Sequence, residues 1–250
     1  MPHYRLAIFD FDGTLADSLP WFRASFQDMI ARFDLAPVRD DEVEGLRGLS
    51  PREIMARLNV SMWQLPAIVS DIRKRKLAAA GEISLFTGIP SMLSDLQRQG
   101  IKTAIVSSDS EASVRKVLGS DARLITRLDC GAAMFGKHWK FRRVARKLSA
   151  KPSETICIGD EIRDIEAAKA AGMDAGAVSW GSMHTMTVSS SALGQCSTPA
   201  GTTNMSPGSS STSPLRSCIV MRPESTRNTS SVSAWECHTY SPLIRLTWTS

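Results

Sequence analysis

YRLAIFDFDGTLADS, residues 4–18, sets a short apolar run against an abrupt polar end. Leu6-Ala7-Ile8-Phe9 is too apolar and too short to be one face of an amphipathic helix, and it predicts a buried parallel strand. Asp10 and Asp12 come next, two residues apart, so in extended backbone both carboxylates point the same way, and Gly13 lets the chain leave the strand tightly. Two carboxylates aimed at one point need a cation. A strand ending in an ordinary Asp-Gly turn would look much the same. A calcium loop also begins with spaced aspartates, but here Gly13 comes too early and Trp21 stands where the closing bidentate Glu belongs. Residues further along the chain decide between these readings.

Two later stretches repeat the pattern of an apolar strand with a polar carboxyl end. In IKTAIVSSDS a strand is expected over residues 103–106, followed by Ser107-Ser108-Asp109 and a helix over 111–118. A hydroxyl next to the first N–H groups of a helix makes a cradle for phosphate oxygens, although Ser108 or Asp109 could equally cap the helix. In ETICIGDEIRDIEAAKAAG the strand is 156–158, Asp160 lies at its carboxyl end, and Asp164 sits one helical turn further on the same face. A helix cap accounts for Asp160 alone but not for Asp164. In an open parallel α/β sheet, ligands bind outside the carboxyl ends of the strands.

Between the first strand and the strand beginning near Ile101 the pattern is helical, over residues 15–30, 40–46, 51–58 and 62–80. That is too much chain for a crossover helix, and it reads as an inserted helical domain. The run Arg73-Lys74-Arg75-Lys76 falls in the last of these helices and reads as a solvated face rather than a nucleic-acid surface.

DFDGTLADS resembles the first signature, DxDGT, of the haloacid dehalogenase (HAD) superfamily, and GDEIRD is similar to its GDxxxD motif. The resemblance covers about residues 4–181. It implies that Asp10 is a nucleophile and Asp12 a general acid and base, that Ser107 is the hydroxyl of the second motif, and that a lysine supplies the third. Lys137, after Gly136, and Lys140 are both candidates; Lys137 has the family-like place just before a helix, although no Pro follows it. Further implications are a Mg²⁺ ion held by Asp10, Asp12, Asp160 and Asp164, and substrate contacts from Thr14, Ser107, Ser108, Lys137 and the cap-loop residue Arg47. The expected activity is that of a phosphoglycolate phosphatase-like phosphomonoesterase, working through an aspartyl-phosphate on a small phosphorylated metabolite. A phosphomutase, a phosphonatase, or an inactive product with a corrupted C-terminus are the alternatives. Asp12 argues against the dehalogenases, which lack the second acid, and against the ATPases, which carry Thr there.

The expected fold is α/β: a Rossmann-like parallel sheet from residues 1–15 and 84–182, a helical cap over 16–83, and a disordered tail over 183–250. The tail holds no lysine or aspartate, and about two fifths of it is serine and threonine. Such a composition buries too little apolar surface to offset ordering entropy. An out-of-frame translation or a low-complexity extension would explain it, and no further edge strand is legible there. The chain has 250 residues, a net charge of +5, five cysteines without paired spacing and no apolar stretch approaching a membrane span. The sequence shows no secretory leader. These features predict a cytoplasmic monomer or homodimer with no nucleic-acid or membrane partner.

Overall fold

The computed structural model describes residues 4–39, 42–46, 49, 51–131, 136–178 and 180, together with strands at 218–222, 236–239 and 245–247. In chain order the elements begin with β1 (Leu6–Phe9), β2 (Ala16–Asp17), α1 (Leu19–Arg32), α2 (Val43–Leu46), α3 (Pro51–Arg57), α4 (Leu65–Ala79) and β3 (Ser84–Leu85). They continue with α5 (Ile89–Arg98), β4 (Lys102–Val106), α6 (Glu111–Leu118), β5 (Arg127–Asp129), α7 (Lys137–Lys147), β6 (Thr155–Gly159), α8 (Ile162–Ala171) and β7 (Asp174–Val178).

β1 is central and pairs in parallel with β4 on one side and β6 on the other. β5 extends the sheet beyond β4, and β7 extends it beyond β6. A parallel sheet must be covered on both faces, and the two-residue period of β1 meets that need. Ala7 and Phe9 join one apolar cluster with Ile89, Leu93 and Leu96 of α5 and Val114 and Leu118 of α6. Leu6 and Ile8 join another with Phe141, Val144 and Ala145 of α7 and Ala167, Ala168 and Ala171 of α8. Because the chain order reverses on either side of β1, the crevice beyond β1 and its neighbours is the topological switch point where α/β sheets bind ligands. The carboxyl ends of β1, β4 and β6 lead directly into Asp10, Ser107 and Asp160.

Helices α1 to α4 lie between β2 and β3, which pair antiparallel to each other where this segment leaves and rejoins the sheet domain. The segment has an apolar cluster of its own, containing Phe26, Met29, Ile30, Leu58 and Ile68. α1 begins at Leu19 rather than at residue 15. Residues 12–16 fold back instead, with the amides of Leu15 and Ala16 both donating to the Phe11 carbonyl at 2.9 Å.

Residues 119–124, between α6 and β5, form a tight 3₁₀ turn, and β5 begins at Arg127. One sequence expectation is corrected in the sheet: β7 is not followed by a stretch without strands. A strand over Cys218–Arg222, β8, pairs with it in parallel, and β9 (Glu236–Thr239) and β10 (Arg245–Thr247) continue the sheet antiparallel. β8 reads CIVMR, an apolar run with β-branched residues, which is the local signal obscured by its polar surroundings. The rest of the expected tail, over 183–250, lies outside the described residues.

Candidate active site

The site begins where β1 ends. The amide of Asp10 donates to the Ile158 carbonyl at 2.8 Å, carrying the ladder one residue further before the chain turns. Gly13 makes that turn with φ +75°, and a side chain there would also run into the carboxylate of Asp160. Gly159 is constrained in the same way, since a Cβ at this position would overlap the Asp164 carboxylate. Gly13 is therefore required by the close approach of another acidic segment, and Gly159 by the fold of its own segment back over it.

Asp10, Asp160 and Asp164 each offer a carboxylate oxygen, all within 4.8 Å of one another. Lys137, at the start of α7, reaches between two of them, with Nζ 3.0 Å from Asp10 and 2.6 Å from Asp164. Burial would lower the lysine's pKa, but the two carboxylates more than reverse this and hold it firmly charged. Burial pushes the Asp164 carboxyl up to about 6, against the pull of Lys137 and with the repulsion of Asp10 and Asp160. Asp160, almost fully buried, accepts a neutral hydroxyl hydrogen bond from Thr14 at 3.0 Å. A dense group of hard oxygen donors, richer in carboxylates than in ammonium, fits a divalent cation such as Mg²⁺.

The carboxylate of Asp12 belongs to a different group. It pairs with Lys76 of α4, whose Nζ also lies 2.8 Å from Asp109. Burial raises the Asp12 carboxyl above its ordinary value, although the Lys76 ammonium and the Ser18 hydroxyl pull it the other way. Burial opposes the charge on Lys76 too, yet Asp12 and Asp109 hold its pKa above the usual lysine value. The expectation that Asp10 and Asp12 aim at one point is thus corrected. The two side chains find separate partners, Asp10 in Lys137 and Asp12 in Lys76.

The remaining predicted residues divide in three ways. Ser107 is buried and accepts from the amide of Asp109 at 3.0 Å, while the exposed Ser108 offers its carbonyl to Arg73. Thr14, expected at the substrate, is fully buried and turned to Asp160 instead. Lys140 points away from the acidic group to Asp129, 3.1 Å distant, so of the two candidate lysines it is Lys137 that faces Asp10. Arg47 lies outside the described residues.

Residues 7–178 match the sequence profile of the haloacid dehalogenase-like hydrolases. The chain belongs to this family. It is an HAD-type phosphatase, similar to phosphoglycolate phosphatases. The phosphoglycolate phosphatase of Synechococcus elongatus is 30% identical over 176 residues, covering 70% of this chain and 83% of that protein. Phosphoglycolate phosphatase 1 of Pseudomonas aeruginosa is 26% identical over 201 residues, covering 72% and 71%. Among solved structures, a haloacid dehalogenase-like hydrolase of Streptococcus pneumoniae superposes with a TM-score of 0.61 at 20% identity, covering 72% of this chain and 87% of that one. CbbY of Rhodobacter sphaeroides, in complex with phosphate, gives 0.59 at 22% identity, with 70% and 86% covered. At these identities the two structures speak for the fold.

In this HAD hydrolase, the residues that sequence reading missed are Lys76 and Asp109. The basic run predicts a solvated face for Lys76, yet it is 4% exposed. Of that run only Lys74 is exposed: Arg73 donates to the Ser108 carbonyl, and Arg75 pairs with Asp71. The available signal was periodicity, because Lys76 lies eight residues from the buried Ile68 and shares its face. Among the described residues, no helix is long and apolar enough to cross a membrane.

Proposed function

We propose that this phosphatase is a magnesium-dependent phosphomonoester hydrolase that acts in the cytoplasm on a small phosphorylated metabolite of the phosphoglycolate class. The observation that carries the reading is the set Asp10, Asp160, Asp164 and Lys137 at adjoining strand ends, with Asp12 beside it. Asp10 attacks phosphorus in line to give an aspartyl-phosphate, which divides one difficult step into two. Asp12 protonates the leaving oxygen and then takes a proton from the water that hydrolyses the intermediate. Lys137 and the Ser107 hydroxyl hold phosphate oxygens, and the exposed Ser108 lies at the edge of the same loop. Asp10, Asp160 and Asp164, with the main-chain carbonyl of Asp12, would hold Mg²⁺, which when bound offsets the repulsion between carboxylates and a dianionic phosphate. Residues 16–83 act as the cap, and Arg47 touches substrate from it. The chain works as a monomer or homodimer without nucleic acid or membrane.

The test is phosphate release from 4-nitrophenyl phosphate by the full chain, with Mg²⁺ and after chelation, beside Asp10→Asn. Turnover that requires the metal and is abolished by the substitution is expected. Turnover that survives either change would overturn the reading, and isomerisation of a hexose 1-phosphate in place of phosphate release would assign the site to a mutase.

A further inference from the structure

Helix α4 meets the sheet domain at the loop between β4 and α6. Arg73 donates to the Ser108 carbonyl from Nε at 3.1 Å and from Nη2 at 2.7 Å. Lys116 of α6 returns a hydrogen bond to the Leu77 carbonyl at 3.2 Å. Between these contacts Lys76 reaches inward to Asp109 and Asp12, with its ammonium 5.7 Å from the centre of the Phe11 ring.

Asp109 is held by the sheet domain at three of its polar atoms. Its amide donates to Ser107 Oγ at 3.0 Å, its carbonyl accepts from the Gly131 amide at 2.7 Å, and Oδ1 accepts from the Ser110 amide at 2.6 Å. Among the described residues, the charge that faces Oδ2 is the Lys76 ammonium. An ammonium meant only to neutralise Asp12 would need no second carboxylate, and burying one is costly unless it is paired. The arrangement makes sense if Asp109 is the fixed point and Lys76 the piece brought to it.

We propose that Asp109 is a positioning residue: it anchors the cap lysine Lys76 against Asp12 and thereby sets the Asp12 carboxyl for proton transfer to the leaving oxygen. The proposal rests on the reading of Asp12 as the acid–base group. In the step concerned, a bond forms between Asp10 and phosphorus as the ester P–O bond breaks. The Asp12 proton passes to the departing oxygen, and Lys76 keeps its protons throughout.

Two esters of similar size separate this role from a merely structural one. The 4-nitrophenolate of 4-nitrophenyl phosphate leaves readily as an anion, whereas the phenolate of phenyl phosphate has more need of a proton. In Asp109→Asn, kcat/KM for phenyl phosphate should fall about tenfold more than for 4-nitrophenyl phosphate, within the range general acid catalysis commands. Lys76→Gln should change the ratio alike, and Asp109→Glu should restore part of it. The ratio is independent of how much of a preparation is folded. Equal loss on both esters, complete inactivity included, or a wild-type ratio in either Asp109→Asn or Lys76→Gln overturns the proposal. A wild-type chain that cleaves neither ester would instead sink the phosphatase reading itself.

Discussion

Two lysines flank the Asp-Phe-Asp turn, and each bridges two carboxylates, but they reach it from different parts of the molecule. Lys137 comes from the first turn of α7 and joins Asp10 to Asp164 of α8, so its whole group is built on the sheet domain. Lys76 comes from α4 and joins Asp12 to Asp109, so its group exists only while the helical segment stands on the sheet domain. The first arrangement is fixed by the fold of the sheet domain and suits a nucleophile and a metal, which need constant geometry. The second depends on docking and suits a proton-transfer group that must meet a substrate admitted between two bodies.

The sharpest way to test this division is to remove one member at a time. Asp10→Asn should have the largest effect, a loss in kcat on the order of 10⁴-fold or more, because in the proposed mechanism Asp10 is the group that forms the covalent intermediate. Lys137→Met comes next. Loss of its charge beside the proposed phosphate site should lower kcat by about 10²–10³-fold, while Lys140→Met, whose ammonium faces Asp129 and not the acidic cluster, should leave steady-state turnover within about twofold. A larger loss in Lys140→Met than in Lys137→Met would break the assignment of the two lysines. Arg73→Ala tests the docking side. Loss of its hydrogen bonds to the Ser108 carbonyl, worth about 1 kcal/mol, should raise KM roughly fivefold with kcat little changed. A fall in kcat of the same size would mean that this contact shapes the chemistry rather than the closure.

The same division explains what the sequence made legible. Asp10, Asp12, Ser107, Asp160 and Asp164 each stand at or just beyond the end of an apolar run, so local pattern and strand-end logic are enough to find them. Gly13 is legible as the tight exit from the first strand, but its closeness to Asp160 is a tertiary fact. Lys76 has no such marker. It sits in a run of four basic residues, and which of the four turns inward depends on how α4 is laid against the β4–α6 loop, a tertiary fact. Thr14, which the family resemblance places at the substrate, is tied by its hydroxyl to Asp160, another contact that depends on how two distant segments meet. β8 was missed because its four apolar residues, Cys218 to Met221, lie within a stretch whose composition speaks for no structure at all.

A third cation group sets the comparison in relief, because its proportions are reversed. Asp129, at the end of β5, holds two cations: Arg143 with Nη2 2.6 Å from Oδ1 and Nε 3.1 Å from Oδ2, and Lys140 at 3.1 Å. Burial works against its ionised form, but the hydrogen bonds and charges of Arg143 and Lys140 prevail and hold the carboxyl below its ordinary value of 3.8. A carboxyl whose folded pKa is depressed contributes stability that is present above the unfolded value and is lost as pH falls through the folded one. Asp129→Asn should therefore be less stable than the wild type by about 1–2 kcal/mol near neutral pH, and the gap should begin to narrow below roughly pH 4 and close only as pH falls past the depressed folded value. Denaturant melts at a series of pH values from about 7 down to about 2 would measure it. Because this group lies outside the acidic cluster, kcat at pH 7 should stay within about twofold. A gap that persists unchanged at low pH would mean that shape at Asp129, and not charge, holds the start of α7 and with it Lys137.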